Sequence, residues 1–190
     1  MAKRNSVSKE ALLDAAFELV RSEGTRALSA RKVANAAECS TQPIFRLYKN
    51  MGELSDEVFL EAVDFYTDYF LEKTEEKEGG DSPFVDFGMA YVSFAKDEPH
   101  LFQMLFLEEN SVDMSMYDIL NGGDMGFVRK EIQRLSSLGA ERSQMVFMRI
   151  WLFLHGIACM ELGADFDLSE NDMRSMLKDV FTGFYGKIEG

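Results

Sequence analysis

The chain has 190 residues, enough for one large or two small domains around a sizeable core. Its 46 % hydrophobic content excludes a wholly disordered chain, and three prolines beside 12 Met and 16 Phe point to an all-α protein with an adaptable interior. The net charge of −13 opposes nucleic-acid binding only as a total: residues 1–50 hold nine Lys/Arg against five acids, net +4, and the rest carries −17. The acidic remainder is most simply a solvated surface.

The basic start MAKRNSVSKE runs into no apolar segment, so the sequence predicts no signal peptide and a cytoplasmic chain. Cys39 and Cys159 lack metal or redox spacing and read as small buried residues in a reducing compartment. Lys3 and Arg4 form either a minor-groove arm or a free tail. The first helix is expected over Lys9 to Glu23, capped by Ser8 and stopped by Gly24, with Leu12, Ala15, Ala16, Leu19 and Val20 as its buried stripe.

Residues 29–50, SARKVANAAECSTQPIFRLYKN, read as two short helices joined by a tight turn. Ser29 is a good N-cap, with Val33, Ala34 and Ala37 on one apolar face. Ser40 is expected to cap a second helix from Thr41 to Tyr48, with Pro43 in its first turn, where a missing N–H leaves no bond unmade. Ile44, Leu47 and Tyr48 would pack on the preceding helix. Ser40, Thr41, Gln42, Phe45, Arg46 and Lys49 would remain outward. These are hydroxyls, an amide, an aromatic ring and two cations, the chemistry of a DNA-facing helix.

A fourth helix should begin at Asn50, with Glu53 as capping-box partner, and continue to about Leu71. The run EKTEEKEGGD breaks the chain at Gly79-Gly80. Ser82 and Pro83 open the next helix, which carries Phe84, Phe87, Tyr91 and Phe94 and ends before Pro99. His100 to Leu107 reads as a short apolar helix. A Met-rich segment from Ser111 to Asn121 ends at Gly122-Gly123, and Asp124 caps a helix over Met125 to Leu138 that Gly139 stops. The next, Ala140 to Leu162, is apolar nearly all round. Its unbroken run falls short of the ~20 residues a membrane span needs, so it is expected to be buried both by its own domain and by a second subunit. The last helix, capped by Ser169 with Asp172 at N3, would complete half of a four-helix dimer bundle.

These residues resemble the TetR/AcrR family of bacterial transcriptional regulators. The likeness runs through Leu12, Ala15, Ala16, Gly24, Leu28, Ser29, Arg31, Val33 and Ala34, then Ser40, Ile44, Phe45, Tyr48, Glu53 and Leu54, with a weaker cluster at Trp151, His155 and Gly156. It implies a three-helix helix-turn-helix domain over residues 1–50 and a helical effector-binding and dimerisation domain over 51–190, about nine helices in all. It implies that Arg31, Thr41, Gln42 and Phe45 approach bases. Ser29, Ser40, Arg46, Lys49 and the backbone near Asn50 would hold phosphates. Phe45 stands where the family often has a phosphate-binding Tyr, Leu47 where His is common, and Met51 in place of a frequent Lys.

For the body, Phe87, Tyr91, Phe94, Phe102, Met104, Phe106, Phe147, Met148, Trp151 and Met160 either line an apolar cavity or fill the core. His155 is either a hydrogen-bonded core or interface histidine or a ligand contact. No nucleophile motif accompanies His100 or His155, and no residues stand at metal-ligand spacing, so no catalytic site, metal or cofactor is expected. The resulting expectation is a homodimeric repressor that reads a pseudopalindromic double-stranded DNA operator, responds to a small hydrophobic effector and has no membrane partner. The alternatives are a helical protein-interaction module and an enzyme using His155.

Overall fold

A computed structural model describes residues 7–75, 83–120, 140–163 and 168–186. These form nine helices and no strand: α1 (Lys9–Glu23), α2 (Ala30–Ala36), α3 (Gln42–Leu47), α4 (Met51–Glu75), α5 (Pro83–Asp97), α6 (Pro99–Phe106), α7 (Met116–Leu120), α8 (Ala140–Glu161) and α9 (Glu170–Gly186). The all-α architecture expected from the sequence is the one observed. The expected helix over Met125 to Leu138, the Gly79-Gly80 and Gly122-Gly123 breaks, the Ser82 cap and the Lys3–Arg4 arm lie outside the described residues. No helix among those described is long and apolar enough to cross a membrane.

By packing, the chain divides into two compact units: Met1–Phe65 with Glu98–Met114, and Tyr66–Asp97 with Ser115–Gly190. The sequence places a boundary at residue 50, whereas packing groups the first part of α4, and α6, with the residues before it. In the first unit, Leu12, Ala16, Phe17, Leu19 and Val20 of α1 are buried with Val33, Ala34, Ile44, Tyr48, Leu54 and Val58. Ala15, expected in the stripe, is only half-buried, and Phe17, packed against Phe65 with ring centroids 5.6 Å apart, takes its place. Ser8 caps α1 through the Ala11 N–H at 3.1 Å. Gly24 ends it at φ +82, a conformation L side chains rarely adopt, and a Cβ there would meet His100 Nδ1 of α6 at 3.3 Å. The positive φ is what calls for glycine at that corner.

The α1–α6 contact carries an ion pair. Arg21 Nε donates to Glu98 Oε2 at 2.9 Å and Nη2 to Oε1 at 2.5 Å, while the guanidinium lies 4.7 Å from the Phe65 ring centroid. The Glu98 hydrogen bond holds the Arg21 pKa above its ordinary value. Two parallel bonds fix direction as well as distance, which suits a fork-shaped donor. The Thr25 hydroxyl adds a bond to Glu108 Oε2 at 2.8 Å.

In the second unit, α5 is the central element. Its Gly88 faces Leu154 of α8 and Leu177 of α9, whose carbons would lie 2.8 and 3.0 Å from an added Cβ. Phe84 stacks on Phe181 at 4.8 Å, and Phe87 meets Phe70 at 4.9 Å and Phe147 at 6.2 Å. Ser169 caps α9 through the Asp172 N–H at 3.2 Å, as its sequence predicts. The fourth helix extends to Glu75, one turn beyond the expected end. Cys39 and Cys159, expected to be buried, are both half-buried free thiols.

Breaking the α1–α6 ion pair tests its contribution. Arg21→Met leaves the Glu98 carboxylate, 11 % exposed, without its cation. Urea unfolding should show a loss of about 1–3 kcal/mol. A loss below about 0.5 kcal/mol, the worth of an exposed pair, contradicts the clamp.

Candidate nucleic-acid interface

The turn between α2 and α3 builds the site. Ser29 caps α2, its Oγ accepting from the Lys32 N–H at 3.4 Å. At the far end the Cys39 N–H bonds the Ala34 carbonyl at 2.8 Å and the Glu38 N–H the Asn35 carbonyl at 3.2 Å. These are the two crossed bonds of a Schellman motif, whose pivotal residue takes a left-handed backbone. Here that residue is Glu38, at φ 50. A non-glycine side chain there costs roughly 1–2 kcal/mol. A glutamate carries no sequence signal for that left-handed conformation.

The third helix is shorter than expected. It spans Gln42–Leu47, and its N-cap position is Thr41, at φ −71 and ψ −14, with no side-chain cap bond. That position is one residue later than the expected Ser40. Pro43 still falls in the first turn. Ile44 is fully buried and Tyr48 is 2 % exposed. The Tyr48 hydroxyl donates to Glu57 Oε2 of α4 at 3.2 Å. Burial and the nearby Glu57 push its pKa far above the usual tyrosine range, so it remains a donor. Leu47 and Ala37, expected in the packed face, are only half-buried.

The opposite face is outward. Ser29, Arg31, Ser40, Thr41, Gln42, Phe45, Arg46, Lys49 and Asn50 are all exposed, Phe45 by 57 %. The cations of this unit sort into two groups. Lys9 pairs with Glu57, Arg21 with Glu98, and Lys32 with Glu23 at 2.6 Å. Arg26, Arg31, Arg46 and Lys49 have no acidic side-chain partner among the described residues. Three of those four are the cations singled out from the sequence. Arg26, in the turn Thr25–Ala27, was not, since a one-turn 3₁₀ segment gives no periodicity to place it.

Capping uses some of the expected polar groups. Asn50 Oδ1 accepts from the Glu53 N–H at 3.0 Å, while the Lys49 N–H donates to Glu53 Oε2 at 2.6 Å. The reciprocal cap therefore engages the Lys49 amide, leaving the Asn50 side-chain NH2 as the outward donor there. The Ser29 hydroxyl accepts within the cap and retains its own proton for donation.

The second unit holds only part of the expected effector set. Phe87, Tyr91, Phe94 and Trp151 are buried in it, with Phe147. Phe102 and Phe106 belong to the first unit, where their rings sit 5.1 Å apart, and so does Met104. Met148 and Met160 are 41 and 54 % exposed, on the outward side of α8. His155 stacks on Trp151 at 4.9 Å, and its Nδ1 lies 2.9 Å from the Tyr91 hydroxyl and its Nε2 3.5 Å from Cys159 Sγ. Burial raises the Tyr91 and Cys159 pKa values and lowers that of His155, so all three are neutral near pH 7. The Tyr91 hydroxyl and His155 Nδ1 thus share a neutral hydrogen bond whose direction follows the ring tautomer. Met145, Met148, Leu152 and Met160 form an exposed apolar row on α8 beside Gly156, where nothing lies within 4 Å of an added Cβ; Met176 of α9 is also exposed.

The lowered His155 pKa has a pH consequence. The unfolded chain takes up a proton below about 6.5 that the folded ring resists, so stability falls as pH drops through that window. Thermal melts at pH 7.5 and 5.5 should show a larger drop for the parent chain than for His155→Gln. Equal drops contradict a half-buried neutral imidazole.

The profile of the tetracyclin repressor-like C-terminal domain matches residues 84–182. A comparison with curated proteins finds no match. Among solved structures the chain is similar to a protein of unknown function from Rhodococcus sp. RHA1, at 17 % identity and TM-score 0.68, covering 95 % of each chain. It is also similar to the flavonoid-responsive regulator FrrA, at 16 % identity and TM-score 0.61, covering 94 % of this chain and 95 % of that one. A TetR-family transcriptional regulator from Streptomyces coelicolor aligns at 16 % identity and TM-score 0.52, covering 94 and 98 %.

Proposed function

The chain belongs to the TetR family of transcriptional regulators, and on that premise we propose that it is a homodimeric, ligand-responsive repressor reading a pseudopalindromic DNA operator in the cytoplasm. One observation carries the reading. The cations of the first unit that have no acidic partner among the described residues include Arg31, Arg46 and Lys49 on the outward face of α2, α3 and the α3–α4 turn, beside two exposed amides, three hydroxyls and an aromatic ring. An unpaired cation keeps its full attraction for phosphate; a paired one must first lose its carboxylate.

In this reading Arg31, Thr41, Gln42 and Phe45 approach base edges. A Gln amide pairs with adenine and Arg with guanine, each worth roughly 1–3 kcal/mol of discrimination. Ser29, Ser40, Arg46, Lys49 and the Asn50 amide hold phosphates, and Arg26 joins them. Phe45 meets a thymine methyl.

Two chains pair through the exposed row on α8 and the outward side of α9. Gly156 allows close helix approach there, and the row leaves water on association. Two readers then face successive major grooves, about 34–36 Å apart. The effector is an apolar molecule entering among Phe87, Tyr91, Phe94 and Trp151, with His155 as its polar contact. The flavonoid response in FrrA's name fits an aromatic ligand in such an interior. Phe102, Phe106 and Met148 fall outside this set. Release from DNA requires a differential affinity of only about 1–3 kcal/mol between two reader separations.

Gel shifts at two salt concentrations test the assignment. Gln42→Ala should bind operator less selectively, whereas Lys49→Ala should weaken specific and random DNA alike and flatten the salt dependence by about one unit of slope. Equal losses on both DNAs for both variants contradict the roles given.

A further inference from the structure

The second unit contains a cleft of about 390 Å³, within the size range of small-molecule sites and separate from the aromatic interior assigned above to the effector. One face of α5 forms its floor: Met89, Val92, Ser93 and Lys96 recur at helical spacing, and Met173 of α9 faces them across the cleft. The floor therefore grades from thioether and methyl groups through a hydroxyl to an ammonium.

Its charges separate into neutralised and available ones. Arg174 is held by Glu170 at 2.9 Å and reaches Asp86 at 3.6 Å, and Lys73 lies 3.8 Å from Asp97 and over the Tyr69 ring. Lys96 of α5 and Glu161 at the end of α8 line the same cleft and have no ion-pair or hydrogen-bond partner among the described residues, each other included. A cation and a carboxylate that share a cleft without closing on each other leave room for a molecule carrying both complements. A simple anion would meet Glu161 and a simple cation would meet Lys96.

We infer that this cleft binds a small zwitterion with an apolar body, its carboxylate toward Lys96, its ammonium toward Glu161 and its hydrocarbon on Met89, Val92 and Met173. Methionine suits such a floor because its unbranched side chain adapts to different shapes. Binding here is read without DNA, so it stands or falls independently of the repressor reading.

Calorimetric titration of the full chain tests it with two zwitterions of different charge separation, L-phenylalanine and 8-aminooctanoate. The single-charge controls are 3-phenylpropionate and phenethylamine. At least one zwitterion should bind, and each control should bind about tenfold more weakly or not at all, the worth of one charge-assisted hydrogen bond. Lys96→Gln and Glu161→Gln, both at solvent-accessible positions and checked for an unchanged melting profile, should each weaken the zwitterion about tenfold. Lys96→Gln should also erase the zwitterion's advantage over phenethylamine, and Glu161→Gln its advantage over 3-phenylpropionate. No heat from either zwitterion, controls that bind equally well, or variants that bind like the parent chain would overturn the site.

Discussion

A six-residue helix has no stability of its own in water. The whole reader depends on the two residues that bury α3: Ile44, fully enclosed, and Tyr48, whose hydroxyl also reaches Glu57 on α4. Once those two point inward, the helical period leaves Thr41, Gln42, Phe45 and Arg46 no direction but outward. The polar groups proposed above to meet DNA are thus positioned by side chains that face the core. Glu38 shows the same priority of packing over local preference. The crossed bonds at the end of α2 hold a glutamate in a backbone conformation it would not otherwise choose, and that turn sets how α3 follows α2.

The paired cations have a different task. Arg21 joins α1 to the N-terminus of α6 through two bonds to Glu98, and Lys9 ties α1 to α4 through Glu57. The Arg21–Glu98 contact holds α6 in the same unit as α1 although the two residues lie 77 positions apart in the chain. The fork-shaped pair at Arg21 fixes direction as well as distance. The set on the outward face has no such acidic partner among the described residues, which is what remains available for a polyanion.

Much of this was legible in the sequence. The caps at Ser8, Ser29, Asn50 and Ser169 follow from short hydroxyl and amide side chains ahead of periodic apolar runs, and α1 has the span its pattern indicated. What escaped depends on partners distant in sequence. Arg21 and Glu98 each look like ordinary surface charges until α6 is brought to α1. Phe102 and Phe106 carry the same apolar pattern as Phe87 and Phe94, and nothing local tells which of two cores will take them. The cap expected at Ser40 falls one residue early, because α3 begins only at Gln42 and no side-chain bond marks its start.

The central claim is that two copies of this reader act together on one duplex. Its most direct measurement is affinity and stoichiometry on an operator selected from random duplexes, compared with the same operator carrying about five inserted base pairs at its centre, half a helical turn. The account predicts two chains per operator and a loss of at least about tenfold on insertion, because the second reader is turned to the opposite side of the helix. A single bound chain at full affinity, or binding indifferent to the insertion, would contradict it.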